Sequence, residues 1–345
     1  MTWLTWRQLR VSAAAVAAAV LAAAVVLAVT GPRVADKARL TGSLLDNMNR
    51  LERDLFYGGV VVLALVPAVV GAFWGAPLVA REFEAGTHRL VWNQSVTRNR
   101  WLATKLVITG ALAAITVGGL TLAVTWWSGP VDGALGRTRG SLPARLTPVA
   151  FAMRGIVPVA YVVFALVLGA AVGLVLRRSV PAMAVTLVLY TAVQIALPLW
   201  VRPHLIPPVT KTVAFSMDRL DGISINDGSG SATITLTTGG HGDWVLSNRT
   251  VNSAGHYTAL PTWMGQCVVP PVPPGNEPGP VKADAGARDG LTACFDRLNA
   301  EGYHQRLAYQ PASRFWPLQL VETGVVLVVS GLLGCFCFWR IRRVS

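Results

Sequence analysis

Apolar residues gather in six long runs, separated by short polar stretches and by one long polar segment. The runs cover residues 11–29, 56–78, 106–127, 155–176, 180–201 and 316–339. An α-helix needs about 20 consecutive apolar residues to cross the hydrocarbon of a bilayer. The pattern therefore predicts an all-α integral membrane protein with six transmembrane helices. The first run follows Arg7 and Arg10, as a signal peptide would. It is longer than a signal core of about 7–15 residues, and no clear A-x-A cleavage site follows, so it reads as a retained span.

The long polar segment, residues 202–315, has the size of a domain. It is rich in Gly, Ser, Thr, Asp and Pro. Residues 223–226 and 232–237 alternate as strands do, with Gly-rich turns between them. Residues 269–280 carry too many prolines for helix or sheet and read as an extended linker. Leu291, Cys294, Phe295 and Leu298 recur at helical spacing, with Asp289 as N-cap and Gly302 as the stop. These signals predict a small α+β domain. The chain thus divides into a membrane domain (1–201), this domain (202–315), and the last span with its basic tail (316–345).

Charge sets the orientation. Lys and Arg are more than twice as dense in 1–10, 80–105, 177–179 and 340–345 as in 30–56, 128–154 and 202–315. By the positive-inside rule the first set faces the cytoplasm. In a cell membrane both termini then lie in the cytoplasm and the α+β domain lies outside. Trp126, Trp127, Trp200 and Trp316 fall at the outer ends of the runs, and Trp3, Trp6, Trp101 and Trp339 at the inner ends, where an indole suits the headgroup layer. The composition is 53% hydrophobic and only 14% charged, with a net charge of +13. That basic excess flanks the apolar runs instead of forming a soluble face, so it speaks for lipid and against nucleic acid.

Cys267 and Cys294 are the only cysteines in the outer segment, where an oxidising exterior permits a disulfide. Cys335 and Cys337 supply too few ligands for zinc. The histidines have no metal-ligand spacing. No catalytic constellation, metal site or cofactor motif is present in the sequence.

The informative inner stretch joins the second and third runs. The second helix continues as Arg81-Glu82-Phe83-Glu84, and Gly86 can end it in a left-handed turn. A short segment from Thr87 through Arg89 to Trp92 follows. Ser95 or Thr97 can cap the next helix, which Arg98, Arg100 and Lys105 anchor to the anionic leaflet. This arrangement predicts a rigid ledge that presents paired acids to a cytoplasmic partner.

These residues resemble the permease subunits of ABC exporters of the second type. The matching positions are Arg81, Glu82, Glu84, Gly86, Thr87, Arg98 and Lys105. Residues 2–10 (TWLTWRQLR) look like that family's N-terminal surface helix, and 315–324 (FWPLQLVETG) with 340–343 (RIRR) resemble its last span. The resemblance implies that two permease halves, identical or paralogous, pair above two separate ATPase subunits, and that the 82–100 ledge receives the ATPase stroke. The outer segment is larger than the family's usual one.

No G-x-x-x-x-G-K-[ST] occurs here, and none of Lys37, Lys105, Lys211 and Lys282 follows a glycine. ATP would therefore be handled by a separate P-loop chain. Within the runs, Gln194, Gln319 and Glu322 are polar. They either line a pathway or pin the fifth and sixth spans together, or Glu322 is held near the outer interface by Arg154 or Arg314. Gly71-x-x-x-Gly75 and Gly169-x-x-x-Gly173 permit close helix approach within the chain or in a dimer. The leading function is an exporter permease for a hydrophobic or amphipathic cargo. The alternative is a membrane-anchored sensor or accessory protein that acts through its outer domain.

Overall fold

The computed structural model describes residues 18, 21–33, 36, 50–86, 97–135, 145–226, 231–240, 242–268 and 285–343. In chain order the helices are α1 (Leu21–Arg33), α2 (Arg50–Val70), α3 (Ala76–Glu84), α4 (Arg98–Leu135), α5 (Pro148–Phe151), α6 (Val157–Leu176), α7 (Ser179–Ala196), α8 (Arg202–Leu205), α9 (Met264–Val268), α10 (Ala285–Ala300) and α11 (Phe315–Arg342). A π-helical turn, Gly71–Gly75, joins α2 to α3, and a second, Leu197–Val201, joins α7 to α8. The strands are β1 (Val209–Val213), β2 (Leu220–Asn226), β3 (Ser231–Leu236), β4 (Trp244–Val251) and β5 (His304–Gln310). Two compact units result, Met1–Ile206 with Ser313–Ser345, and Pro207–Ala312.

The first unit is helical. Among the described residues, five helices are long and apolar enough to cross a membrane: Leu63–Glu84, Arg98–Gly129, Val157–Leu176, Ser179–Leu205 and Ala312–Arg342. Of the first apolar run, 11–29, residues 18 and 21–29 are described, and they show only the shorter α1 there. α6 is the central helix. Its apolar window is 72% buried by protein, against 22% for those of the α7 and α11 helices. A helix apolar all round is what such a central position requires.

Glycine lets α6 sit so deep. Gly71 and Gly75, on the π turn, face the α6 backbone at Ala165 and Leu166, and Gly169 and Gly173 on α6 face the backbone of Gly71 and Ala76. The two G-x-x-x-G patterns therefore meet each other within one chain. At the end that carries α3, a second apolar cluster gathers Val79, Trp101, Leu102, Ala170, Leu174, Cys337 and Ile341 from four helices. Trp101 and, toward the other end of α4, Trp127 are both buried by protein; the Trp127 indole N–H donates to Thr30 Oγ1 at 3.0 Å. Trp126, Trp200, Trp316 and Trp339 are exposed.

The second unit is α+β. β5 runs antiparallel between β1 and β4, and β2 pairs with β3 in a separate antiparallel hairpin. Its core joins Val213, Phe215, Ile234, Leu236, Met264, Phe295, Leu298 and Leu307. Phe295 and Leu298 come from the predicted amphipathic helix. That helix starts at Ala285, so Asp289 lies inside it and is not its N-cap. Gly302 stops it at φ +81°, with Tyr303 N–H on Leu298 O and Gly302 N–H on Asn299 O, the paired bonds of a Schellman end. The linker 269–280 lies outside the described residues.

A disulfide joins Cys267 in α9 to Cys294 in α10 across 27 residues. Closing a loop of that length is worth about 3–4 kcal/mol in the chain-entropy account. Replacing both cysteines by serine is therefore expected to make 207–312 sensitive to limited proteolysis in the full chain. A double variant as resistant as the parent would contradict it.

Candidate functional site

Two polar clusters stand out in the helical unit. The first lies where α3 ends. Ala85 N–H still reaches Arg81 O, Gly86 N–H reaches Phe83 O, and Gly86 turns left-handed at φ +70°. From α4, the buried Lys105 crosses to this end. Its Nζ donates to Leu78 O at 3.1 Å and to the Glu82 carboxylate, and it sits 4.6 Å from the Trp101 ring. Glu84 turns the other way. Its Oε2 accepts from Ser179 N at 3.1 Å and Ser179 Oγ at 2.7 Å, in the first turn of α7. A carboxylate there satisfies an orphan N–H and complements the helix dipole.

Each of the paired acids thus holds a neighbouring helix, Glu82 from a largely buried position and Glu84 from an exposed one. Glu82 ties α3 to α4, with only 15% of its side chain exposed, and Glu84 ties α3 to α7. The sequence places these residues at the helix ends but does not give their partners. Besides Glu84, the corner exposes four arginines: Arg81, Arg100, Arg177 and Arg178. Arg177 ends α6 in a left-handed conformation, φ 54°, and its guanidinium lies 5.7 Å from the Phe83 ring. Thr97 caps α4 by accepting from Arg100 N–H at 3.4 Å. Arg98 is half-buried beside it. Thr87 and Arg89 lie outside the described residues.

The second cluster is fully buried. Arg202 Nε and Nη2 donate to Glu322 Oε2 and Oε1 at 2.7 and 2.8 Å, a bidentate pair with no exposed surface. Arg202 Nη1 donates to Pro148 O at 3.0 Å, and its guanidinium lies 4.2 Å from the Phe151 ring. The Tyr161 hydroxyl donates to Glu322 as well. One turn away, Gln319 Oε1 accepts from Ile156 and Val157 N–H at 3.1 and 3.0 Å, and its Nε2 donates to Phe151 O at 3.1 Å. Gln319 thus caps α6. Gln194 bonds Tyr190 on its own helix.

Glu322 is held by Arg202, then, and not by Arg154 or Arg314. From the sequence alone Arg202 falls in the outer segment, because the apolar run ends at Val201. The helix continues through the π turn and carries Arg202 back into the bundle. Tyr161 and Ser179 carried no signal: each lies in or beside an apolar run that explains it without a polar role.

The fold and these buried polar clusters define a helical, multi-pass membrane protein. The model of the ABC-2 membrane transporter related family matches residues 11–202, more than half of the chain, and the chain belongs to that family. The family points to a transporter membrane subunit. No curated protein and no solved structure gives a match.

Proposed function

We propose that this chain is the permease subunit of an ATP-driven ABC exporter, which takes mechanical work from a separate P-loop ATPase chain and moves a hydrophobic or amphipathic cargo outward. It works in the cell membrane with six spans, both termini cytoplasmic and 207–312 outside, paired with a second copy or a paralogue. The observation that carries this reading is the double strut at the end of α3. A push on that end cannot be absorbed by a loop. Glu82–Lys105 passes it to α4 and Glu84–Ser179 passes it to α7, whose continuation reaches α11 through Arg202–Glu322. A crevice of about 260 Å³ between α6, α7 and α11, lined by Phe164, Val193, Leu197 and Val326 among others, supports an apolar passenger.

The exposed arginines at this corner are the contact for the ATPase, and the struts are the load path. Arg81→Glu with Arg100→Glu is expected to lower co-purification of the ATPase on the order of tenfold or more, because like charges then face the partner. Thermal stability should stay near the parent's, since both side chains are exposed. Glu82→Ala is expected to do the reverse and destabilise the chain before any partner is added. Undiminished capture of the ATPase by the charge-reversed chain would remove the corner from the coupling account.

A further inference from the structure

α7 and α11 both pack on α6, and a crevice of about 290 Å³ runs between them toward the end that carries the basic corner. Its walls include Leu168, Val172 and Leu176 of α6, Leu189 of α7, and Leu333 and Phe336 of α11, and every lining residue is aliphatic or Phe. The slot leads into an aromatic and then a cationic end. The Phe336 ring lies 6.0 Å from Trp339, and the Arg343 guanidinium lies 4.2 Å from Trp339. On α6 the lining residue Leu176 is followed directly by Arg177 and Arg178, both exposed.

This order of chemistries, an apolar slot, an aromatic collar and guanidinium groups, matches one occupant. An acyl chain fills the slot without leaving a polar group unpaired, which a peptide backbone would not. An indole suits the glycerol level, and guanidinium binds phosphate as a donor fork. A second copy of the chain fits poorly. Pairing about a two-fold axis along the membrane normal would set the Arg343, Arg177 and Arg178 of both copies at the same depth, like charge against like charge.

We infer that the crevice is a binding site for an anionic glycerophospholipid of the inner leaflet, with one acyl chain in the slot and the phosphate on Arg343. The leaflet rests on the orientation proposed above; the site and its chemistry do not. The test reads lipid retention by the chain alone, so it can fail while the permease reading stands, and the reverse.

The full chain is reconstituted in vesicles of phosphatidylcholine and phosphatidylglycerol in equal amounts. It is then re-extracted in mild detergent, and retained lipid is measured by mass spectrometry. The parent should retain a pool enriched in phosphatidylglycerol. Arg343→Gln should cut the enrichment about fivefold, the share of one interfacial guanidinium. Arg342→Gln removes the same charge from the same helix end, on the side bonded to Asn99, and should leave the enrichment in place. Leu189→Trp or Leu333→Trp, which fill the slot, should lower total retained lipid. The inference is overturned by no enrichment in the parent, by equal losses in Arg342→Gln and Arg343→Gln, or by a slot-filling variant that reduces dimer content while retained lipid is unchanged.

Discussion

Gly169→Ala is expected to cost the helical unit most of its folded yield. A Cβ at this position would overlap Gly71 O and lie 2.7 Å from Ala76 N. The same contact repeats from the other side, since a Cβ on Gly71 would lie 2.7 Å from Ala165 O and one on Gly75 would lie 2.6 Å from Leu166 O. All of these neighbours are backbone atoms, so no side-chain rotation relieves the clash and the helices must separate. An extra methyl group in a core that can adjust costs about 1–3 kcal/mol. Here the cost should reach or exceed the top of that range, because membrane helices are held by close packing without a hydrophobic drive between them. Gly331→Ala, with nothing within 4 Å of the added carbon, is the control. Size-exclusion profiles and thermal midpoints in detergent decide the matter. A Gly169→Ala protein as monodisperse and as stable as Gly331→Ala would show that α6 is not seated as described.

The second large effect is at Arg202 and Glu322. Both side chains are wholly buried and spend their charge on each other. Removing one leaves the other uncompensated, at a cost of about 3–5 kcal/mol. Arg202→Met and Glu322→Leu are therefore each expected to destabilise the chain severely. The double variant should recover much of the loss, because two apolar residues of similar size leave no stranded charge. Glu322→Gln should fall between, since it can still accept from Tyr161 and Arg202. If both single variants keep the parent's thermal midpoint, the pair does not pin α11 to the α7 helix. Non-additivity in this cycle also separates pinning from a pathway role. A pathway acid would show its effect in transport and leave stability alone.

Much of the fold was legible because membrane crossing is a length rule. Apolar runs of the required length mark α6, α7 and α11 closely, although α4 extends well past residues 106–127, since hydropathy reports only its apolar middle. The β2–β3 hairpin and α10 were legible from alternation and from Leu291, Cys294, Phe295 and Leu298. β1, β4 and β5 were not. Their sequences, VTKTV, WVLSNRTV and HQRLAYQ, alternate weakly, and β5 is central by pairing rather than by composition. The candidate site was half legible. Residue types placed Arg81, Glu82, Glu84 and Lys105 at one end of the helices. Which carboxylate meets which donor is a three-dimensional fact: Glu82 meets Lys105 and Glu84 meets Ser179. Arg202 was hidden for a similar reason, because a π turn carries the helix beyond its last apolar residue.

The central claim is that these helices relay work extracted from nucleotide by another chain. The most direct measurement is ATP turnover by the purified chain in vesicles, alone and with a P-loop ATPase chain captured by co-purification. The account predicts no turnover by the chain alone, turnover by the pair, and loss of its stimulation in Arg81→Glu with Arg100→Glu. Hydrolysis by the isolated chain, or a stimulated rate indifferent to that charge reversal, would contradict it.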